Sequence, residues 1–424
     1  MFQCEDEEEG GTAALGGRTG AGCKEQSRAE VSVMMKTKRR RHVSVLLPNK
    51  QHLDCSVSVR ARGQEVMNSV LRQLGVSDLQ VFGLGVLRDN EYLFLDLTKK
   101  LSKYFNKRWN RGYLRVPFIL FLRIQFYVGS GLLILSSKVQ QLYFTELRQK
   151  VLCSQSYHQE ALLFQLAASA LQAEVGDQEL REEADNEGRE AEQERKHYFL
   201  PEDYFPFWLI KRRGRDYLLR HSPTLHSELR GLSQSRAVLQ FIKESSRLQD
   251  GAVTFYRMKQ DKKEKRSSIL LGVAGTGVHV YLDMEGKHCA MFDFSWPDID
   301  HLTFQGCRFE IGVVASLGLP KLVYYTRSAV HSEHILRHLR NTHQFHISTR
   351  AAAGCIQQLE DLQASHFHKE AYICDVAGLR QSLSCSYLTS STSDCSAAVE
   401  TVTVWTEEEE EGSSTGQLKG ENIF

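Results

Sequence analysis

The hydrophobic period of this chain changes twice, and that constrains the fold more than any single motif. Residues 42–47 and 53–59 alternate apolar and polar at period two around the turn Pro48-Asn49-Lys50. Val66, Val70 and Leu74 then recur at helical spacing with Met67 and Leu71 alongside, and Gly75 supplies a stop. Strand text returns at 81–86, 92–97 and 118–128. From 138 to about 248 the period is helical, carried by Val139, Leu142, Tyr143, Leu147 and Val151, then by Leu162, Leu163, Leu166, Ala167, Ala170 and Leu171, then by Val238, Phe241, Ile242 and Leu248. After Gly251 seven short strands are expected, at 253–259, 268–273, 277–282, 290–294, 300–304, 308–313 and 321–325, with a helix at 330–342 closing the run.

Strand, helix and strand blocks of this length each suffice for a core, so the chain reads as α+β and multidomain. The first block has the order of a ubiquitin-like roll. The second is a helical bundle. The third, seven strands and one closing helix, has the order of a pleckstrin-homology or phosphotyrosine-binding (PH/PTB-like) barrel. The corresponding division is 42–130, 131–250 and 251–350, flanked by an N-terminal arm at 1–41 and a tail at 351–424 whose Gly-, Ser- and Glu-rich text predicts disorder. Residues 177–196 carry nine acids and four bases with almost no apolar residue, the text of a solvated insertion. A short helix is expected near 356–362.

Residues 116–135 are apolar enough to suggest a membrane span, but Arg123 and Gln125 lie inside them, and a central Arg costs a few kcal/mol in lipid. A buried strand ending at Gly129-Ser130-Gly131 is the better reading. The N-terminus is acidic, without the apolar run of a secretory leader. Ten cysteines are scattered, with no CxxC and no zinc spacing, which fits a reducing compartment.

Enzymatic signatures are missing from the text: no GxSxG, HExxH, P-loop or kinase set. Gly272, Gly275 and Gly277 precede a strand, not a helix, and so mark a hairpin rather than a dinucleotide loop. His331, His334 and His338 share one helix face, but adjoin the apolar stripe Ile335, Leu336 and Leu339 and read as a polar flank rather than a metal site. No catalytic residue, cofactor or metal is expected.

The charges, 53 basic against 52 acidic, are segregated. Four basic clusters stand out: Lys36, Lys38, Arg39, Arg40 and Arg41; Lys99, Lys100 and Lys103 with Lys107, Arg108 and Arg111; Lys211, Arg212, Arg213 and Arg215; and Lys259, Lys262, Lys263, Lys265 and Arg266. The acids concentrate in the arm, the insertion and the Glu407–Glu411 run, which leaves a positive face on the folded part. Neither an RNP signature nor a recognition helix accompanies it, so nucleic acid is not the expected partner. An anionic membrane surface is. At about 1 kcal/mol per cation the arm alone supplies about 5 kcal/mol, a Kd near 0.2 mM, so several clusters must act together. An acidic segment folding over this face would autoinhibit it, and deletion of 177–196 would then raise lipid affinity.

The order of blocks, together with the segments SILLGVAGTGVHVY (268–281), FDFSWPDI (292–299), CRFEI (307–311) and FLPEDYFPFWLIKRRGRDYLLRH (199–221), resembles the FERM family, in its barrel the ezrin, radixin and moesin group. Residues 82–84, 203–222 and 322–325 are similar to the willin branch. The resemblance implies a cloverleaf of ubiquitin-like roll, acyl-CoA-binding-protein-like helical bundle and PH/PTB-like barrel. It implies phosphoinositide binding between first lobe and barrel, placed at Lys99, Lys100 and Lys103 and at Lys259–Arg266. It also implies a peptide groove along the barrel edge, from Asp300, His301, Leu302, Thr303 and Phe304 on the strand and His334 and His338 on the closing helix. Expected partners are cytoplasmic tails of membrane proteins or junctional and signalling proteins, at the cytoplasm and the inner face of the plasma membrane. No long helix or basic end of the ezrin kind is evident, so direct actin binding is not expected.

Overall fold

The computed structural model describes residues 40–105, 109, 117–177, 198–284 and 287–366. The arm cations Lys36, Lys38 and Arg39, the first-lobe cations Lys107, Arg108 and Arg111, residues 178–197 of the acidic insertion and its surroundings, and the tail beyond 366 lie outside these residues.

The first lobe is a five-stranded mixed sheet in the order β2-β1-β5-β3-β4. It comprises β1 (Arg40–Leu46), β2 (His52–Ser58), β3 (Phe82–Arg88), β4 (Glu91–Phe94) and β5 (Phe118–Ile124). β1 and β5 run parallel at the centre, and the other pairs are antiparallel. The period-two text explains which face is buried: Val43 and Val45 of β1 and Leu120 and Leu122 of β5 are fully buried under α1 (Gly63–Leu74), whose Val66 and Val70 close the layer. Gly75 caps α1 at φ 64°, a left-handed position that a Cβ disfavours.

The second lobe consists of α2 (Ser137–Leu152), α3 (Glu160–Glu174), the short α4 (Pro201–Tyr204) and α5 (Phe207–Arg213), α6 (Arg215–Ser227) and α7 (Gln234–Ser245). Leu163, Leu166, Ala167, Ala170 and Leu171 bury the apolar face of α3 against Phe241 and Ile242 of α7, the small alanines allowing close approach.

The third lobe has two sheets, β6 (Val253–Met258), β7 (Ile269–Ala274), β8 (Gly277–Met284) and β9 (Lys287–Ser295), then β10 (Ile299–Gln305), β11 (Arg308–Val313) and β12 (Leu322–Tyr325). The Lys259–Tyr325 bridge joins them, with both N–H···O distances 2.8 Å. The glycine run forms the β7–β8 hairpin, as its order suggested. A Cβ on Gly277 would lie 2.0 Å from the Phe294 carbonyl oxygen, so no larger residue fits there.

The closing helix departs from expectation. In place of a helix at 330–342 and a separate short one near 356, a single helix, α8, runs from Ala329 to His366. Its first half seals the barrel with Ile335, Leu336 and Leu339. Its second half crosses to the other lobes: Phe345 stacks on Phe126 at 4.7 Å, Ile356 is buried with the second lobe's core, and Glu360 accepts from Ser130 at 3.0 Å and pairs with Lys243 of α7. The sequence hid this continuity because Gly354 and the polar text after 346 weaken the apolar stripe, whereas the partners that hold the helix lie 117 or more residues away.

Candidate interaction surfaces at the lobe junctions

The lobes are joined by buried polar contacts rather than by apolar packing alone. At the centre, Glu146 of α2 accepts from the Ile124 N–H at 3.0 Å, while the Lys150 ammonium donates to Tyr127 Oη at 2.7 Å and to the Val253 carbonyl. Loop and strand segments of the first and third lobes therefore share one helix of the second. Burial pushes the Glu146 carboxyl up and the Lys150 ammonium down, each opposed by the other's charge.

The seam between first and third lobes is built from β4 and α8. Glu91, 4% exposed, accepts from the Arg257 N–H at 2.7 Å and pairs with Arg327 and with His331 Nε2 at 2.9 Å. Arg327 also reaches Asp89 at 2.6 Å. His334 Nε2 accepts from the Phe94 N–H at 3.2 Å. His338 Nε2 donates to the Gln125 carbonyl at 3.0 Å, and its Nδ1 accepts from Tyr256 Oη at 2.8 Å. Burial, with Arg337 close by, holds His334 well below the usual histidine range, and burial brings His338 down to about 4.

This corrects two residues of the expected peptide groove. His334 and His338 are 4% and 2% exposed and face the first lobe, so they line no groove. The reason is angular: at 100° per residue they lie on the opposite flank of α8 from Leu336, Arg340 and His343. The helix packs against β10, and His343 contacts Trp296 just before that strand at 5.0 Å. Of that flank, Leu336 is itself buried in the barrel core, whereas Arg340 and His343 are half-buried. The strand half of the groove is an edge in fact: β10 pairs only with β11 among the described residues. Leu302 points into the core at 1% exposed, and Phe304 packs against the same cluster. His301, whose Nδ1 donates to the Asp300 carboxylate at 2.8 Å, and Thr303 lie on the half-exposed face.

The basic clusters divide. Arg41 is not in a free arm: it belongs to β1, is 7% exposed, and donates Nε to the Trp109 carbonyl at 2.8 Å. Arg40 is exposed but held on Ser56 at 2.8 Å. Arg212 and Arg213 share Glu160, and Arg215 pairs with Glu202, so two acids offset half the charge of that cluster within the second lobe, leaving Lys211 exposed. Glu202 and Glu160 lie 13 and 53 residues before the arginines they bind, Arg215 and Arg213, which is why the local text overstated the cluster's charge.

The remaining two clusters flank the first-to-third-lobe seam. Lys99 lies 3.9 Å from Asp96 and 3.6 Å from Glu333 of α8, which Arg337 also meets at 3.8 Å. Lys100 and Lys103 are exposed and carry no ion pair among the described residues. Lys259 is paired through its backbone to Tyr325, two residues before Arg327, so the β6–β7 loop springs from the same seam. On that loop Lys262, Lys263, Lys265 and Arg266 are exposed and equally unpaired among the described residues. About one turn of helix separates the start of α8 from Glu333. Among the described residues no helix is long and apolar enough to cross a membrane, and no group of three or more acids, histidines or cysteines is arranged to hold a metal.

The three-lobed arrangement has relatives. The chain matches the FERM N-terminal domain over residues 45–107, the FERM central domain over 131–256 and the FERM C-terminal PH-like domain over 263–353. It belongs to the FERM family. It is 26% identical over 347 residues to tyrosine-protein phosphatase non-receptor type 13 of Mus musculus, a match covering 79% of this chain and 14% of that protein. It is 26% identical over 388 residues to Protein expanded of Drosophila melanogaster, covering 75% of this chain and 27% of the relative. The chain thus corresponds to about a quarter or less of the length of these relatives. Among solved structures, the FERM and C-terminal domain complex of Drosophila Merlin superposes with a TM-score of 0.57 at 17% identity, over 74% of this chain and 98% of that one, and shows the shared fold.

Proposed function

We propose that this FERM protein is a non-enzymatic adaptor that docks on the anionic cytoplasmic face of the plasma membrane through its first-to-third-lobe seam and holds protein partners there. The observation that carries this reading is that two exposed cation groups without ion pairs among the described residues, Lys100 and Lys103 on the first lobe and Lys262, Lys263, Lys265 and Arg266 on the third, each adjoin a segment that builds the seam, the first beside Lys99 on Glu333 and the second after Lys259 on Tyr325. Six such cations at about 1 kcal/mol each give roughly 6 kcal/mol, a Kd in the tens of micromolar. A phosphoinositide headgroup bridging the two sides would add charge-assisted hydrogen bonds. Lys99 contributes less, being shared between Asp96 and Glu333.

The partner site is the free edge of β10 beside α8, where an extended tail of a membrane or junctional protein would add a strand through main-chain hydrogen bonds. Resemblance to the willin branch and to Protein expanded extends the reading to cell junctions and growth control through the Hippo kinase cascade. The rival is a protein-interaction scaffold without lipid affinity, or the regulatory FERM part of an enzyme complex; the acids already seated on Lys99 favour the former. Sedimentation with vesicles of graded phosphoinositide content, comparing wild type with charge reversals at Lys99/Lys100/Lys103 and at Lys262/Lys263/Lys265, tests the choice. Both variants losing binding supports the adaptor; no binding of wild type at physiological salt refutes it.

A further inference from the structure

The β6–β7 loop carries, beside its cations, two adjacent hydroxyls, Ser267 and Ser268, which differ in their surroundings. Ser268 donates its hydroxyl to Glu264 at 3.0 Å, and its carbonyl accepts from the Asp283 N–H at 2.8 Å at the start of the β7–β8 pairing. Ser267 is half-exposed, and its hydroxyl has no hydrogen-bond partner among the described residues. It stands directly after Lys262, Lys263, Lys265 and Arg266, so cations occupy the positions five, four, two and one before it. The segment leading to it is tied down by few bonds. Asp261 accepts from the N–H groups of Lys263 and Glu264 at 2.9 and 3.2 Å, and Glu264 accepts from that of Gln260 at 3.2 Å. All of these are local and solvent-facing, so the loop can open without disturbing the barrel core.

We propose that Ser267 is a phosphorylation site for a basophilic serine/threonine kinase and that its phosphate turns off the cationic face described above. This rests on the membrane-adaptor reading. Kinases of that class read Lys and Arg before the acceptor by charge complementarity, and an unbonded hydroxyl on an opening loop is the acceptor they require. In the transfer, Ser267 Oγ attacks the γ-phosphorus of ATP, the bond to the β-phosphate oxygen breaks to release ADP, and the hydroxyl proton passes to the kinase's catalytic aspartate. The new group carries a charge of about −2. From Lys259 to Arg266 the loop holds five cations and two acids, a net charge of +3, which phosphorylation lowers to about +1. Its oxygens also lie where Lys265 and Arg266 can fold back on them, withdrawing those side chains from a lipid headgroup.

The test uses the full chain, Mg-ATP and a purified basophilic kinase, with a free peptide of residues 258–272 as a control for kinase competence. Fragmentation mass spectrometry is expected to place phosphate on Ser267 in wild type and in Ser268→Ala, and none on the loop in Ser267→Ala. The phosphorylated chain should then bind vesicles of phosphatidylcholine and phosphatidylinositol bisphosphate about 30-fold more weakly, the equivalent of two surface charges, while treated Ser267→Ala is unaffected. Phosphate on Ser268 alone, or on neither the chain nor the peptide, or on the peptide but not the chain, overturns the site. Phosphate on Ser267 with unchanged vesicle binding overturns the switch. If the untreated chain fails to bind vesicles, the membrane reading and the switch fall together, while the mass spectrum still decides whether Ser267 is modified.

Discussion

Acid should loosen the seam between first and third lobes, and His338 is the residue through which this can be measured. Its neutral ring donates to Gln125 on the first lobe and accepts from Tyr256 on the third, with His334, Arg337 and the Phe94 ring as neighbours. A proton on Nδ1 would force Tyr256 to turn from donor to acceptor and bury a charge beside Arg337. An unfolded chain takes that proton near pH 6.5, the native one only near 4. Between those values the unfolded state binds more protons, so stability falls as pH falls. The full difference corresponds to about 3 kcal/mol, of which roughly 2 are lost by pH 5. His338→Gln keeps both bonds, its amide donating and its carbonyl accepting, but cannot titrate. Urea unfolding of wild type and variant from pH 7.5 to 4.5 is the assay. Carboxylates titrate alike in both, so their stability difference should change by roughly 2 kcal/mol toward the variant by pH 5. Parallel profiles would refute the assignment of a neutral, seam-bridging histidine, whatever the absolute stabilities.

Glu91→Ala removes the acceptor shared by Arg257, Arg327 and His331 and should cost about 3 kcal/mol or more, read by denaturant midpoint; a loss under 1 kcal/mol would mean the seam rests on apolar contact. Gly277→Ala forces a Cβ against the Phe294 carbonyl and should destabilise the third lobe by about 2 kcal/mol, visible in a thermal melt. Lys243→Ala unpairs Glu360 but leaves Ser130 on it; global stability should change by less than about 1 kcal/mol, while amide exchange over residues 350–366 rises. Protection there equal to wild type would show that the Lys243 pair does not hold the end of α8.

The local text of residues 42–74 determined its elements directly, because Val43, Val45, Val66 and Val70 repeat at the periods that bury one face of a strand or helix. The same holds for the glycine hairpin and most strands of the barrel. Charge was legible only in part. Counting Arg212, Arg213 and Arg215 as a basic patch was sound arithmetic, but their neutralising partners, Glu160 and Glu202, arrive from other helices. Likewise Arg41 reads as one cation in a run, yet strand alternation and the Trp109 carbonyl bury it.

What the sequence by itself decided, then, is which segments are strand or helix and which faces of them are apolar, since backbone periodicity is a property of neighbours in the chain. Only the tertiary structure decided which flank of α8 meets the first lobe, how far that helix runs, and which lysines stay unpaired. Those depend on groups brought together from positions tens to hundreds of residues apart, and no local pattern encodes the partner that a charge or a histidine will find.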